Sequence, residues 1–154
     1  MPKTRKTNLR ISLVFGANGG VLTAMFNVVK KGICCAIGSG KQQISWIHID
    51  DFCSIVKWVI ENKTATSAYN IIAPQPLTNK KLMSLSRKKL GINFAHPTPK
   101  WILEIGAFFI RTKIKLVLKS RYVVPEKLLK ENFKFKYPTI KTCIDFLKPQ
   151  LSNL

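Results

Sequence analysis

GSGKQQISWIHIDD, residues 38 to 51, places a glycine loop, a short extended segment and an acidic pair in unbroken succession. Gly38 and Gly40 reach backbone angles closed to other residues, so the loop can turn tightly or let a ligand approach its backbone. Ser45 to Ile49 is apolar at Trp46, Ile47 and Ile49, and its β-branched isoleucines predict a short strand. Behind it Phe52, Ile55, Val56, Val59 and Ile60 recur at helical spacing, which predicts a helix from Asp51 to about Lys63. Asp50 or Asp51 is expected to accept hydrogen bonds from the free amides that open this helix, a capping role rather than a reacting one.

Upstream of the loop, Leu9 to Phe15 reads as a strand ending at Gly16, and Asn18, Gly19 and Gly20 supply turn chemistry. Leu22, Met25, Phe26 and Val29 then predict a helix over 21–31, stopped by a left-handed cap at Gly32 and followed by a brief apolar piece over 33–37. Downstream, Tyr69 to Ala73 reads as a second strand closed by Pro74 and Pro76, which cannot donate to a sheet interior. Thr78 caps a helix running through Leu82, Leu85 and Leu90 to Gly91, although Lys81 stands where a glutamate would complete a capping box. Thr98 and Pro99 open a further helix over 100–119, and 125–131 and 139–147 read as two more. Strands interleaved with helices, then helices alone, imply an α/β piece trailing into a helical cap.

The chain has 154 residues, 46% of them hydrophobic, enough for one compact domain and too few to suggest two. Lys and Arg number 26 against 7 Asp and Glu, for a formal charge of +19. That charge would attract nucleic acid, acidic lipid or phosphorylated metabolites. The basic residues are nevertheless spread from Lys3 to Lys148 and lysine dominates, whereas base reading leans on the planar fork of arginine. Cys34, Cys35, Cys53 and Cys143 form no CxxC pair and no His/Cys ligand spacing, so no metal site is assigned and buried free thiols are expected. No signal peptide follows the basic start, and the apolar run from Ile102 to Leu118 is interrupted by Glu104, Arg111, Lys113 and Lys115, short of the about 20 apolar residues a bilayer requires. A cytoplasmic protein with no membrane partner is expected.

RISLVFGANGGVL (residues 10–22), the 38–51 stretch, YNIIAPQPLTN (69–79) and KSRYVVPEKLLKENFKFKYP (119–138) together resemble one family. It is the nucleoside-diphosphate-sugar epimerase family of the extended short-chain dehydrogenase/reductases, with its C-terminal domain of unknown function. The resemblance spans about residues 9 to 148 and matches only the second half of the family. It implies the C-terminal portion of a Rossmann-like fold, with few strands plus a helical C-terminal cap. The implied organisation is a basic leader over 1–8 and the end of the Rossmann-like domain with its substrate-pocket loop over 9–77. A helical substrate-side domain over 78–148 and a tail over 149–154 complete it.

Complete members bind NAD or NADP through GxGxxG after an opening strand, where backbone amides meet the pyrophosphate. Gly16 to Gly20 reads GANGG, and GSGK from Gly38 lacks the upstream glycine of a phosphate loop. The family's catalytic tyrosine, with a lysine four residues later, is also missing. Tyr137 and Lys141 have the spacing, but Pro138 lies between them and FKFKYP matches the family's far C-terminal signature. No catalytic residue is therefore assigned. Ser12 and Asn132 stand where the family usually has glycine, and 110–112 lacks its Gly-Glu pair.

The resemblance places Gly38, Ser39, Gly40, Gln42 and Gln43 in the loop bordering the substrate pocket, where amides hold a polar or phosphorylated ligand. Trp46 and His48 follow, one expected to face the core and the other the pocket. Arg10, Ile11 and Ser12 resemble the strand passing the nicotinamide end of the cofactor, with core packing as the alternative. Asn70, Pro74 and Asn79 shape the exit of the last strand. The function implied is the substrate side of an NAD(P)-dependent, epimerase-like protein acting on a nucleotide-sugar-like molecule. It is incomplete alone, with a complementary N-terminal Rossmann half or a second copy as partner. The alternatives are a non-catalytic basic module that binds nucleic acid or another polyanion, and a truncated product without activity.

Overall fold

The computed structural model describes residues 4–17, 20–30, 39–92, 120 and 122–151. Strands β1 (Thr7–Ile11) and β2 (Leu13–Phe15) form one extended run broken at Ser12, ahead of helix α1 (Gly20–Lys30). Strands β3 (Gln43–Ile44) and β4 (Trp46–His48) precede α2 (Ile49–Glu61). Strands β5 (Ser67–Ile71) and β6 (Leu77–Thr78) precede α3 (Asn79–Leu90), and α4 (Glu126–Lys130) and α5 (Ile140–Leu151) follow. The helix expected over 100–119, the Gly32 cap and the apolar piece over 33–37 lie outside the described residues.

The sheet is built as a fork. β1 lies parallel to β5, from Thr7 opposite Ser67 to Ile11 opposite Ile71. Past Ser12 the partner changes, and β2 lies parallel to β4, from Leu13 opposite Trp46 to Phe15 opposite His48. Just beyond β5 the Ala73 amide donates to the Trp46 carbonyl at 2.6 Å, so β4 enters between two segments that have parted. Ser12 stands at the branch, its hydroxyl donating to the Ser45 carbonyl. A further pair, β3 antiparallel to β6, sets Gln43 opposite Thr78 and Ile44 opposite Leu77. That pair is absent from the sequence reading because strands of two residues carry no periodicity to detect.

Side-chain alternation along β4 sorts the apolar residues onto two faces. Trp46 packs with Phe15, Leu22, Phe26, Leu82 and Leu147 in a core shared with α1, α3 and α5. Ile47 points the other way, into a core with Ile55, Tyr69, Ile71 and Leu128 from α2, β5 and α4. Each fully buried aliphatic side chain of this kind contributes ~1.5–3 kcal/mol. Parallel strands need crossover connections, and α1 and α2 supply them.

The helix ends are closed by specific groups. Thr78 accepts from the Lys81 amide at α3, and Gly91 ends that helix at φ 70 with its amide turned back to Arg87 and Lys88, as the sequence predicts. Only a residue free of Cβ takes that left-handed angle without strain. At the end of α2 the Arg5 guanidinium donates to the carbonyls of Val59 at 2.9 Å, Asn62 at 2.8 Å and Ala65 at 2.7 Å. A cation therefore satisfies acceptors that the last turn leaves open and complements the helix dipole.

Candidate functional site

The loop ahead of β3 lies on the first turn of α3. Gly40 takes a positive φ of 69. Its carbonyl accepts from the Lys80 amide, and the Gln42 carbonyl accepts from the Asn79 amide, both at 2.9 Å. With Thr78 taking the Lys81 amide, the opening amides of α3 are satisfied by the protein itself. Two loop amides also have internal partners: Lys41 donates to the Ser39 hydroxyl at 3.3 Å, and Gln43 donates to the Ser120 hydroxyl at 3.1 Å. Ser39 and Lys41 are exposed, and Gln42 and Gln43 are half-buried. Gly38 lies outside the described residues.

The candidate residues fall into three places. Ser39 to Gln43 gather at the start of α3, and Ser12 reaches Ser45 just beyond them. Arg10 and Ile11 are exposed on β1. Trp46 is fully buried, stacked on Phe15 with ring centroids 5.6 Å apart, and its indole N–H donates to the Gln75 carbonyl at 2.9 Å.

His48 is buried at the other end of β4, its ring 4.0 Å from that of Tyr137 and edge-on to Phe146. The expectation that Trp46 and His48 face opposite ways is corrected here. They are two residues apart on a strand, so both turn toward the side of α5, and Ile47 between them turns away.

The acidic pair also acts differently from expectation. The residue that caps α2 is His48, whose Nδ1 accepts from the Asp50 amide at 3.1 Å. Asp50 and Asp51 lie inside the first turn, and Asp51 looks away from its own helix. Its two carboxylate oxygens accept the backbone amides of Lys136 at 2.8 Å and Tyr137 at 2.9 Å. Tyr137 completes the cluster by donating its hydroxyl to Asp50 at 3.3 Å, while the Lys136 ammonium stands 3.6 Å from the same carboxylate. Sequence reasoning missed this role of Asp51 because its partners are 85 and 86 residues away and are backbone groups that leave no side-chain signature.

Burial shapes the proton chemistry of the cluster. It lowers the His48 pKa below 6.5, against the opposing pull of Asp50 and Asp51. Burial likewise raises the Tyr137 pKa, outweighing Lys136, so the phenol stays protonated at neutral pH. The Cys143 thiol is pushed up to about 12 by burial and by the two aspartates, which leaves it unreactive. Cys53, expected to be buried, is exposed on the outer face of α2. Among the described residues no cluster of His, Cys, Asp and Glu could hold a metal ion, and no helix is long and apolar enough to cross a membrane.

Two family models match the chain. The NAD dependent epimerase/dehydratase family matches residues 2–72, and a domain of unknown function, DUF1731, matches 98–147. Through these two matches the chain resembles the epimerase family. The human epimerase family protein SDR39U1 is 28% identical over 89% of this chain and 46% of its own length. An epimerase family protein of Staphylococcus aureus is 29% identical over 94% of this chain and 47% of that protein.

Among solved structures, human SDR39U1 with NADPH superposes with a TM-score of 0.79 at 28% identity, over 98% of this chain and 50% of that one. The nucleoside-diphosphate sugar epimerase from Corynebacterium glutamicum superposes at 0.70 and 21% identity, over 91% of this chain and 25% of that one. The fold is accordingly an α/β portion of the Rossmann-like extended short-chain dehydrogenase/reductase fold. The chain spans about half the length of the relatives it matches.

Proposed function

We propose that this chain is the substrate-side half of an NAD(P)-dependent, epimerase-like protein and is catalytically incomplete alone. The observation that carries this reading is the superposition on the NADPH complex over nearly the whole of this chain but half of the other. The described residues do not fit the cofactor by themselves. The opening amides of α3 already serve Gly40, Gln42 and Thr78. A Cβ added at Gly16 would meet Ile49 only at 3.6 Å, an ordinary contact, so that glycine is not required for a close backbone approach. A complementary Rossmann half is the partner that would bring the dinucleotide, with self-association as the competing way to cover β1.

In this reading Gly38, Ser39, Gly40, Gln42 and Gln43 border a pocket for a nucleotide-sugar-like substrate, with Trp46 and His48 behind its wall. Arg10, Ile11 and Ser12 lie toward the nicotinamide end. The place of action is the cytoplasm, and no specific nucleic acid is required. Titration of the purified chain against NADH or NADPH, followed by nucleotide fluorescence, is expected to show no binding in the micromolar range. Micromolar binding by this chain alone would overturn the reading of incompleteness.

A further inference from the structure

We propose that Asp51 and His48 form an acid-released latch that holds Tyr137, and with it α5, against the carboxyl end of β4. The latch stands apart from the cofactor reading, since it concerns only residues within this chain. Its hook is Asp51, 1% exposed, with both oxygens filled by the Lys136 and Tyr137 amides. An ionised carboxylate only accepts, so it matches two converging N–H donors in a way that an amide or a protonated acid cannot. Tyr137 is itself 5% exposed and lies over the His48 ring, and Phe146 of α5 closes the same ring from its edge.

His48 supplies the release. It is 0% exposed, and because its Nδ1 accepts from the Asp50 amide, the neutral ring carries its proton on Nε2. That Nε2 is buried without a hydrogen-bond partner among the described residues. A second proton must go to Nδ1, where it removes the acceptor that caps α2 and leaves a cation between two aromatic rings. The titratable groups acting on the ring are Asp50 and Asp51 from α2 and Lys136 and Tyr137 from the segment before α5; from α5, Phe146 meets the ring and Cys143 is coupled to the same two aspartates. The two carboxylates favour the cation and Lys136 opposes it; Tyr137 and Cys143 are uncharged. Burial decides the balance against the cation, and His48 titrates below 6.5.

The sign follows from linkage. With the latch closed His48 resists the proton, whereas with the latch open it takes the proton at its ordinary value. The closed state is therefore fully favoured above about pH 6.5 and loses ground as pH falls from there through the lowered value.

The test is backbone amide hydrogen exchange at Lys136 and Tyr137 in the full chain, expressed as protection factors so that the intrinsic pH dependence cancels. From about pH 8 to about pH 5, protection is expected to fall, by at most about 30-fold, the limit set by an open state whose histidine titrates at its ordinary value. His48→Asn keeps a capping acceptor without a titrating group and is expected to hold protection constant across that range. Asp51→Asn is expected to lose protection at both ends of it. Protection that is independent of pH in the unmodified chain, or an unaltered pH dependence in His48→Asn, would overturn the latch. If either variant fails to fold, the His48 titration in the unmodified chain decides by NMR, with His96→Gln assigning the two histidine signals. A His48 midpoint coincident with the loss of amide protection sustains the latch, and separate midpoints refute it.

Discussion

Helices α4 and α5 each close one of the two cores, and they are fastened by polar groups of different kinds. On α4, Leu128 fills the core beneath β5. Around it, the Tyr69 hydroxyl donates to the Glu131 carboxylate at 3.0 Å, and the Lys127 ammonium lies 4.0 Å over the Tyr69 ring and donates to Ser67 at 2.9 Å. The side chains of Lys127 and Glu131 remain about a third exposed, at 35% and 33%. On the α5 side Asp145 also pairs with Lys89 of α3 in a partly exposed ion pair. The fastening peculiar to this side is the Asp51 carboxylate of α2, cut off from water and directed at the backbone amides just ahead of α5. An exposed pair can exchange a lost partner for solvent, whereas a buried acceptor leaves its donors with nothing. Helix α5 also buries Ile140, Cys143, Ile144 and Leu147 where α4 buries Leu128, so the two fastenings are compared through substitutions of the polar groups themselves.

The largest separation is expected from Asp51→Asn. Its amide group turns a donor toward one of two buried N–H groups, and the loss should be ~3–4 kcal/mol of unfolding free energy by urea denaturation. A change within about 1 kcal/mol would erase the contrast between the helices, because it is no more than an exposed pair contributes. Leu128→Ala on α4 removes a fully buried side chain and should cost ~3 kcal/mol, showing that this helix depends on packing rather than on its ion pair. Arg5→Ala should cost ~1 kcal/mol, since the carbonyls it serves at the end of α2 are partly open to water. The smallest effect belongs to Glu131→Gln, expected below ~0.5 kcal/mol because an amide oxygen still accepts from Tyr69 and the ion pair is exposed. A loss from Glu131→Gln that matches Asp51→Asn would mean that exposure is not what distinguishes the two sites.

Much of the fold is legible wherever the chain repeats a local pattern. Leu22, Met25, Phe26 and Val29 announce α1, and Thr78 and Gly91 bracket α3 as their chemistry requires. Parallel strands β1, β4 and β5 show as short apolar runs between glycine and proline signals. What the sequence conceals is everything decided by distant backbone. The break at Ser12 exists because the run changes neighbours there, and nothing in RISLVF marks the change. His48 caps α2 although aspartates stand beside it, since the strand delivers its Nδ1 to the Asp50 amide while Asp51 is drawn away by Lys136 and Tyr137. The loop over 39–43 is recognisable from its glycines, yet the direction of its carbonyls toward α3 is set by the β3 and β6 pairing.

The fork has a kinetic consequence. Among the described residues β1 pairs with β5, β2 with β4 and β3 with β6, so no strand pairs with its immediate successor in the chain. A hairpin can form within microseconds from a local turn, but here every ladder waits until a long loop has closed. Helices α1, α2 and α3 can gather early from local contacts, whereas the strands must be threaded into register afterwards, with their edges bare in the meantime. Slow refolding, and a tendency to associate while it proceeds, is the expected behaviour of a chain whose backbone pairings are all of this distant kind.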